Sequence, residues 1–117
     1  MAALGGAVGA SARYGLGLLP VKTAFPVVTF LINLAGAVLI GFAAGIVMSR
    51  EETNPNLVTF VKVGVCGGFT TFSTFSLELL NLLENDHPVI GIFYAAASVC
   101  TCVIGVWAGR RLAGGLI

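Results

Sequence analysis

Four long apolar stretches alternate with three short breaks along this chain. The first, Met1 to Leu19, ends in a tight link of Pro20, Val21, Lys22 and Thr23. The second runs from Pro26 to about Ser49, with the proline suited to a first helical turn, where its missing N–H costs nothing. Arg50, Glu51, Glu52, Thr53, Asn54, Pro55 and Asn56 form the one clearly polar loop. A third stretch covers Leu57 to Leu83, and Glu84 to His87 link it to a fourth that starts at Pro88 and ends near Leu112. Crossing a hydrocarbon core takes about 20 apolar residues. The pattern therefore predicts an all-α membrane protein of four transmembrane helices, roughly 1–19, 26–49, 57–83 and 88–112, forming one domain over residues 1–117.

The third stretch is too long for a simple straight crossing, and its composition changes midway. GVCGGFTTFSTF, from Gly64 to Phe75, sets paired glycines ahead of interleaved hydroxyls and aromatics and carries no charge. Lipid offers no partner to a free backbone N–H or C=O. A helix weakened at that depth must line a cavity, bind an ion or be buried in protein. A break is expected at Gly67–Thr71, and with it a candidate functional site.

Small residues recur every four positions on the other helices, and such faces let membrane helices approach to van der Waals contact. The second helix carries Ala37, Gly41 and Gly45 on the face of Asn33; the first carries Gly5, Gly9 and Gly17 with Arg13; the fourth carries Ala97, Thr101, Gly105 and Gly109. Four thin helices enclose little space alone, so an oligomer is expected.

Composition supports the membrane reading. Apolar residues make up 57% of the 117, and charged residues only 9%, against about 25% in soluble domains. A net charge of +1 leaves no basic patch for nucleic acid. Met1 to Ala12 lacks the basic start of a cleaved signal peptide. The chain begins almost inside its first helix, so a few residues are expected to precede it. Cys66, Cys100 and Cys102 lie in apolar segments and read as small buried hydrophobes.

The candidate chemistry lies in polar residues at depth. Asn33, near the middle of the second helix, offers two N–H donors and an acceptor. It serves either an interhelical hydrogen bond or an anion path. Thr70, Thr71, Ser73, Thr74 and Ser76 alternate with Phe69, Phe72 and Phe75. Hydroxyls donate to anions without a fixed charge, and aromatic rings present a positive edge. Ser98 and Thr101 extend a hydroxyl track onto the fourth helix. Arg13 either snorkels to the Lys22 side or lines an anion-collecting vestibule. Lys62 and Glu78, near opposite ends of the third span, are expected to reach water. There is no Ser–His–Asp set and no phosphate loop, so an enzyme is not expected. No acidic residue stands in the first two spans, where a small proton-coupled drug exporter would need one.

GGAVGASARYG (Gly5 to Gly15), TFLINLAGAVLIG (Thr29 to Gly41) and GVCGGFTTFSTFSLE (Gly64 to Glu78) together resemble the signature blocks of the Fluc/CrcB fluoride channels. The resemblance spans three of the four helices, in the family's order. It implies a passive, fluoride-selective channel of the cell's inner or plasma membrane, exporting fluoride from the cytoplasm. Two pores would run through an antiparallel, dual-topology homodimer. By the same resemblance Asn33, Phe72 and Phe75 line the pores, with Ser73, Thr74 and Ser76 beside the ion path. The carbonyls of Gly67 and Thr70 would hold a structural sodium ion at the dimer centre.

Two other classes remain open, a proton-coupled transporter of the small multidrug type and a non-conducting membrane subunit. With a cytoplasmic N-terminus, Arg50, Lys62, Arg110 and Arg111 fall inside and Lys22 outside, with Arg13 leaning outward. That is a modest positive-inside bias. It leaves an oppositely oriented paralogue as the alternative partner to a second copy.

Overall fold

The computed structural model describes residues 1–21, 23–49 and 54–116. The expectations for Lys22 and for Arg50, Glu51, Glu52 and Thr53 fall outside the described residues. Every regular element among them is helical: α1 (Ala2–Gly17), α2 (Val27–Ser49), α3 (Pro55–Val58), a π-helical stretch (Thr59–Cys66), α4 (Gly67–Phe69), α5 (Ser73–Glu84) and α6 (Pro88–Leu116). Among the described residues three stretches are long and apolar enough to cross a membrane, Val27–Val47, Pro55–Glu84 and Pro88–Gly114. The 16 residues of α1 reach only about 24 Å, short of the roughly 30 Å hydrocarbon core.

Local sequence explains most of the element ends. Pro26 precedes α2 and its carbonyl takes the helix's opening bond from Phe30 N–H at 3.0 Å. Asn54 caps α3 by accepting from Asn56 N–H at 2.9 Å, with Pro55 at the first helical position. That cap starts the third span two residues earlier than Leu57. Asp86 turns the chain between α5 and α6 with φ 62°, a left-handed conformation that aspartate tolerates better than most. The fourth helix runs past Leu112, to Leu116.

The third span is broken, but not at its glycines. Gly67 keeps helical angles (φ −64°, ψ −37°), and the helix ends only at Thr70, whose ψ of 157° is extended. Regular winding resumes at Ser73, so the interruption is Thr70–Phe72 rather than Gly67–Thr71. The glycines have another use. A methyl on Gly68 would press on the Gly6 carbonyl, and one on Gly64 would meet the Cα of Gly5. They are thin so that α1 can lie against the span. Ahead of them Thr59, Val61, Val63 and Val65 are β-branched, the residues that crowd an ordinary α-helix. There the backbone takes the wider π winding, a form that tends to accompany functional sites.

Two pairs of helices make the body. α1 packs along the π-helical stretch and α4, while α2 packs along α6, with α5 also against α6. Both main seams are glycine seams. Side chains on Gly5 or Gly9 would run into the backbone of Phe60 or Val65, and on Gly41 or Gly109 into Val106 or Val38. Gly17 stands apart from its expected stripe, since nothing lies within 4 Å of where its side chain would be. Leu82, Phe75 and Tyr94 form the buried cluster that joins α5 to α6, with Phe25 and Phe30 packed on it.

Candidate functional site

The break leaves backbone groups without helical partners, and side chains from other helices serve some of them. From α2, Asn33 accepts from the Thr71 N–H at 2.8 Å through Oδ1 and donates through Nδ2 to the Thr71 carbonyl at 3.0 Å. The carboxamide thus grips one extended residue by both of its backbone groups, keeping one N–H in reserve. From α1, Arg13 Nε donates to the Gly68 carbonyl at 3.1 Å. Within the span itself, Thr70 Oγ1 donates to the Cys66 carbonyl at 2.8 Å. The Thr71 hydroxyl accepts from Thr74 N–H at 3.2 Å and so caps α5. The carbonyls of Gly67 and Thr70 accept no hydrogen bond among the described residues.

Beside the break lies a cavity of about 390 Å³. Asn33, Thr70, Thr71, Phe72, Phe75 and Ser98 stand in its wall, together with Gly67 and Lys62. Phe72 and Phe75 sit with ring centroids 5.7 Å apart but in different settings. Phe72 is 79% exposed, whereas Phe75 is buried 5.0 Å from the ring of Tyr94. The hydroxyl of Ser98 is buried and has no hydrogen-bond partner. An unpaired buried hydroxyl is costly, so one facing a cavity is suited to a ligand that accepts a hydrogen bond.

The remaining candidates are scattered. Thr74 lines a second cavity of about 580 Å³ with Thr29, Glu78, Asn81 and His87. Ser73 and Ser76 are exposed. The Ser76 hydroxyl donates back to Phe72 O at 2.9 Å, and that of Thr101 to Ala97 O at 2.6 Å. Both have spent their single proton on their own helix, and neither lines the first cavity. Sequence reasoning missed Tyr94, which is fully buried and whose hydroxyl donates to Glu78 Oε1 at 3.5 Å. The contacts Phe75–Tyr94–Glu78 lead from the first cavity to the second. The signal was present as spacing, since Tyr94, Ser98 and Cys102 follow each other every four residues on α6. In the sequence Thr71 is only one hydroxyl among several, because what Asn33 holds is its backbone. Among the described residues no group of His, Cys, Asp or Glu has the makings of a metal site, and all three cysteines are free.

A helical protein with three membrane-length apolar stretches, one of them interrupted beside a cavity, is a multi-pass membrane protein. Residues 1–110 match the family described as CrcB-like protein, Camphor Resistance (CrcB), and the chain belongs to that family. It is 42% identical over 112 residues to the fluoride-specific ion channel FluC of Ruminiclostridium cellulolyticum, covering 93% of this chain and 86% of the relative. It is 44% identical over 115 residues to the fluoride-specific ion channel FluC 2 of Bacillus subtilis, covering 95% and 86%. The fluoride-specific ion channel FluC of Rhizobium meliloti is 40% identical over 111 residues, covering 92% and 89%. These relatives are named as channels, not as enzymes.

Proposed function

We propose that this protein is a passive, fluoride-selective channel that lets fluoride leave the cytoplasm across the cell membrane. One observation carries the reading. Asn33, Phe72, Phe75 and the unpartnered Ser98 hydroxyl meet around a single cavity at a helix break. All are neutral. Fluoride is small, strongly hydrated and a hydrogen-bond acceptor, so the spare Asn33 N–H and the Ser98 hydroxyl can replace its water without trapping it. A cation in direct contact with the ion would bind it more tightly and release it more slowly. The ring of Phe72, free to turn its edge to the ion, adds weak attraction. The first-turn amides of α5 add a positive helix end, as in other discontinuous membrane helices.

The pore is completed by a second copy in antiparallel orientation, giving two pores per dimer. Support comes from Phe72 and Gly67, which stand exposed at the wall of the cavity, where a membrane protein needs either lipid or protein. Ser73, Thr74 and Ser76 border the ion path on this reading, and Arg13 and Thr101 belong to its surroundings. α1 crosses as a fourth, short span.

A structural sodium ion fits the backbone of Gly67 and Thr70, two residues that also border this cavity. The Gly67 and Thr70 carbonyls lack donors, and no neighbour stands over Gly67. Carbonyl oxygens from both copies would hold the ion, which supplies the positive charge that unpaired carbonyls need in a membrane.

The test is efflux from liposomes loaded with fluoride or with chloride. Fluoride flux far above chloride flux, without proton uptake, is the expected result. Flux that requires proton uptake would mean a coupled transporter, and no flux of any ion a packing subunit. Tags on both termini should appear on both faces of the membrane; one fixed orientation would instead require an oppositely oriented paralogue. Replacing sodium by a large organic cation should loosen the dimer on size exclusion.

A further inference from the structure

An ionisable side chain inside a membrane span is expensive unless it finds a partner or water. Arg13, Lys62 and Glu78 are the three charged side chains inside α1 and the third span short of their ends, and two of them have partners. Arg13 donates to Gly68 O at 3.1 Å, and Glu78 accepts from the Tyr94 hydroxyl at 3.5 Å. The third, Lys62, makes neither a hydrogen bond nor an ion pair in the described chain.

Lys62 lies seven residues past Pro55, about 10 Å into the span at helical rise. It is exposed, and it stands in the wall of the same cavity as Asn33, Gly36, Cys66, Gly67 and Phe72. The winding accounts for this placement. Lys62 and Cys66 belong to the π-helical stretch, where hydrogen bonds span five residues rather than four. Residues four and five further on then both return to the same side, so Lys62, Cys66 and Gly67 share the cavity. No carboxylate is in that wall to neutralise the ammonium.

We propose that Lys62 recruits anions to this cavity, raising the local fluoride concentration at Asn33 and Phe72 without ligating the ion. The proposal rests on the fluoride-channel reading above. Lysine suits the task because its charge is compact, strongly hydrated and mobile on a flexible stem. A low-dielectric wall of one sign focuses the field and speeds arrival, an effect that salt abolishes. The neutral donors deeper in then handle an ion already delivered. In this chain the attraction and the selection belong to different residues.

Initial fluoride efflux from liposomes separates the two. It is measured at about 0.01 M and about 1 M ionic strength, where the Debye length is about 30 Å and 3 Å. Sodium is held constant and an impermeant organic salt makes up the difference. Lys62→Gln should lower the rate about tenfold at low ionic strength and match the wild type at high. Lys62→Glu should fall further at low salt, Lys62→Arg should behave as wild type, and fluoride-over-chloride preference should not move in any of them. Equal loss at both ionic strengths would make Lys62 a structural residue and overturn the proposal, as would wild-type rates for Lys62→Gln throughout. A wild type that passes no fluoride in either salt rejects the channel reading, and this one with it.

Discussion

The seam between α2 and α6 and the break at Thr70–Phe72 solve the same problem in opposite ways. Each must satisfy backbone in a medium without water. At the seam the helices are intact, and closeness comes from removing side chains. Gly41 and Gly109 let the backbone of each helix touch that of the other, at Val106 and at Val38. At the break the helix is open, and the backbone is served by side chains brought from elsewhere, Asn33 on Thr71 and Arg13 on Gly68. α2 takes part in both, with Gly41 and Gly45 toward α6 and Asn33 and Gly36 toward the break. Packing is specified here by absence, and the site by particular donors and acceptors. Damage to the first should therefore cost stability, and damage to the second should cost flux.

Asn33→Asp should give the largest effect. The variant loses the Nδ2 donor to Thr71 O and, when ionised, sets a negative charge against that carbonyl and against an incoming anion. Losing one hydrogen bond and gaining a repulsion amounts to about 3 kcal/mol, or about 100-fold in fluoride flux. The Asn33→Ser variant, with a shorter donor, should keep part of the flux. If Asn33→Asp passes fluoride at the wild-type rate, the clamp on Thr71 is packing alone and the comparison collapses.

Gly109→Ala tests the seam. A methyl there has nowhere to go but the Val38 carbonyl and the Phe42 N–H, so α2 and α6 must separate. Overpacking of this kind costs about 2 kcal/mol, within a range of about 1–3. Denaturation in detergent should show that loss, while the protein that remains folded should pass fluoride at the wild-type rate per dimer. A fall in flux per folded dimer would show that seam and site are coupled through α2.

How much of this division the sequence disclosed follows from the same contrast. Small-xxx-small spacing is a local pattern, so Gly41, Gly45, Gly105 and Gly109 were legible as packing faces. Hydrophobic runs likewise disclosed the helices to within a few residues, the short α1 included. The break was legible as an event but misplaced, because paired glycines suggest weakness whereas here they serve the approach of α1. The interruption falls where Thr70 and Thr71 find partners better than the helix, and half of that chemistry is Asn33, 38 residues away. Nothing local reveals that pairing. The sequence likewise does not disclose that the Ser76 and Thr101 hydroxyls donate to Phe72 O and Ala97 O.

The two phenylalanines sharpen the comparison within the site. Phe72→Ile and Phe75→Ile keep apolar bulk and remove the ring, and fluoride flux should fall about tenfold, or about 1.4 kcal/mol, in each. Phe75→Ile should also lose about 1 kcal/mol of stability, because its ring packs on Tyr94 in the core, whereas Phe72→Ile should lose none. Phe69 lies near Gly36 on the packed side, and Phe69→Ile should leave flux unchanged. Wild-type flux for both Phe72→Ile and Phe75→Ile would reduce these rings to packing.

Gly17→Ala should do least, and that makes it the control for the seam argument. It shares the four-residue spacing of Gly9 and would be counted with it on pattern alone. Gly9 faces the Val65 carbonyl and the Phe69 N–H, while around Gly17 there is open space at the end of α1. If closeness is what the glycines provide, Gly9→Ala should cost about 1–3 kcal/mol. Gly17→Ala should stay within about 0.5 kcal/mol, the usual span for a substitution that meets nothing. Thermal unfolding of the two variants side by side in one detergent decides it. Equal losses would mean that the spacing of the glycines, rather than what stands opposite them, carries their effect, or that a second copy closes over the end of α1.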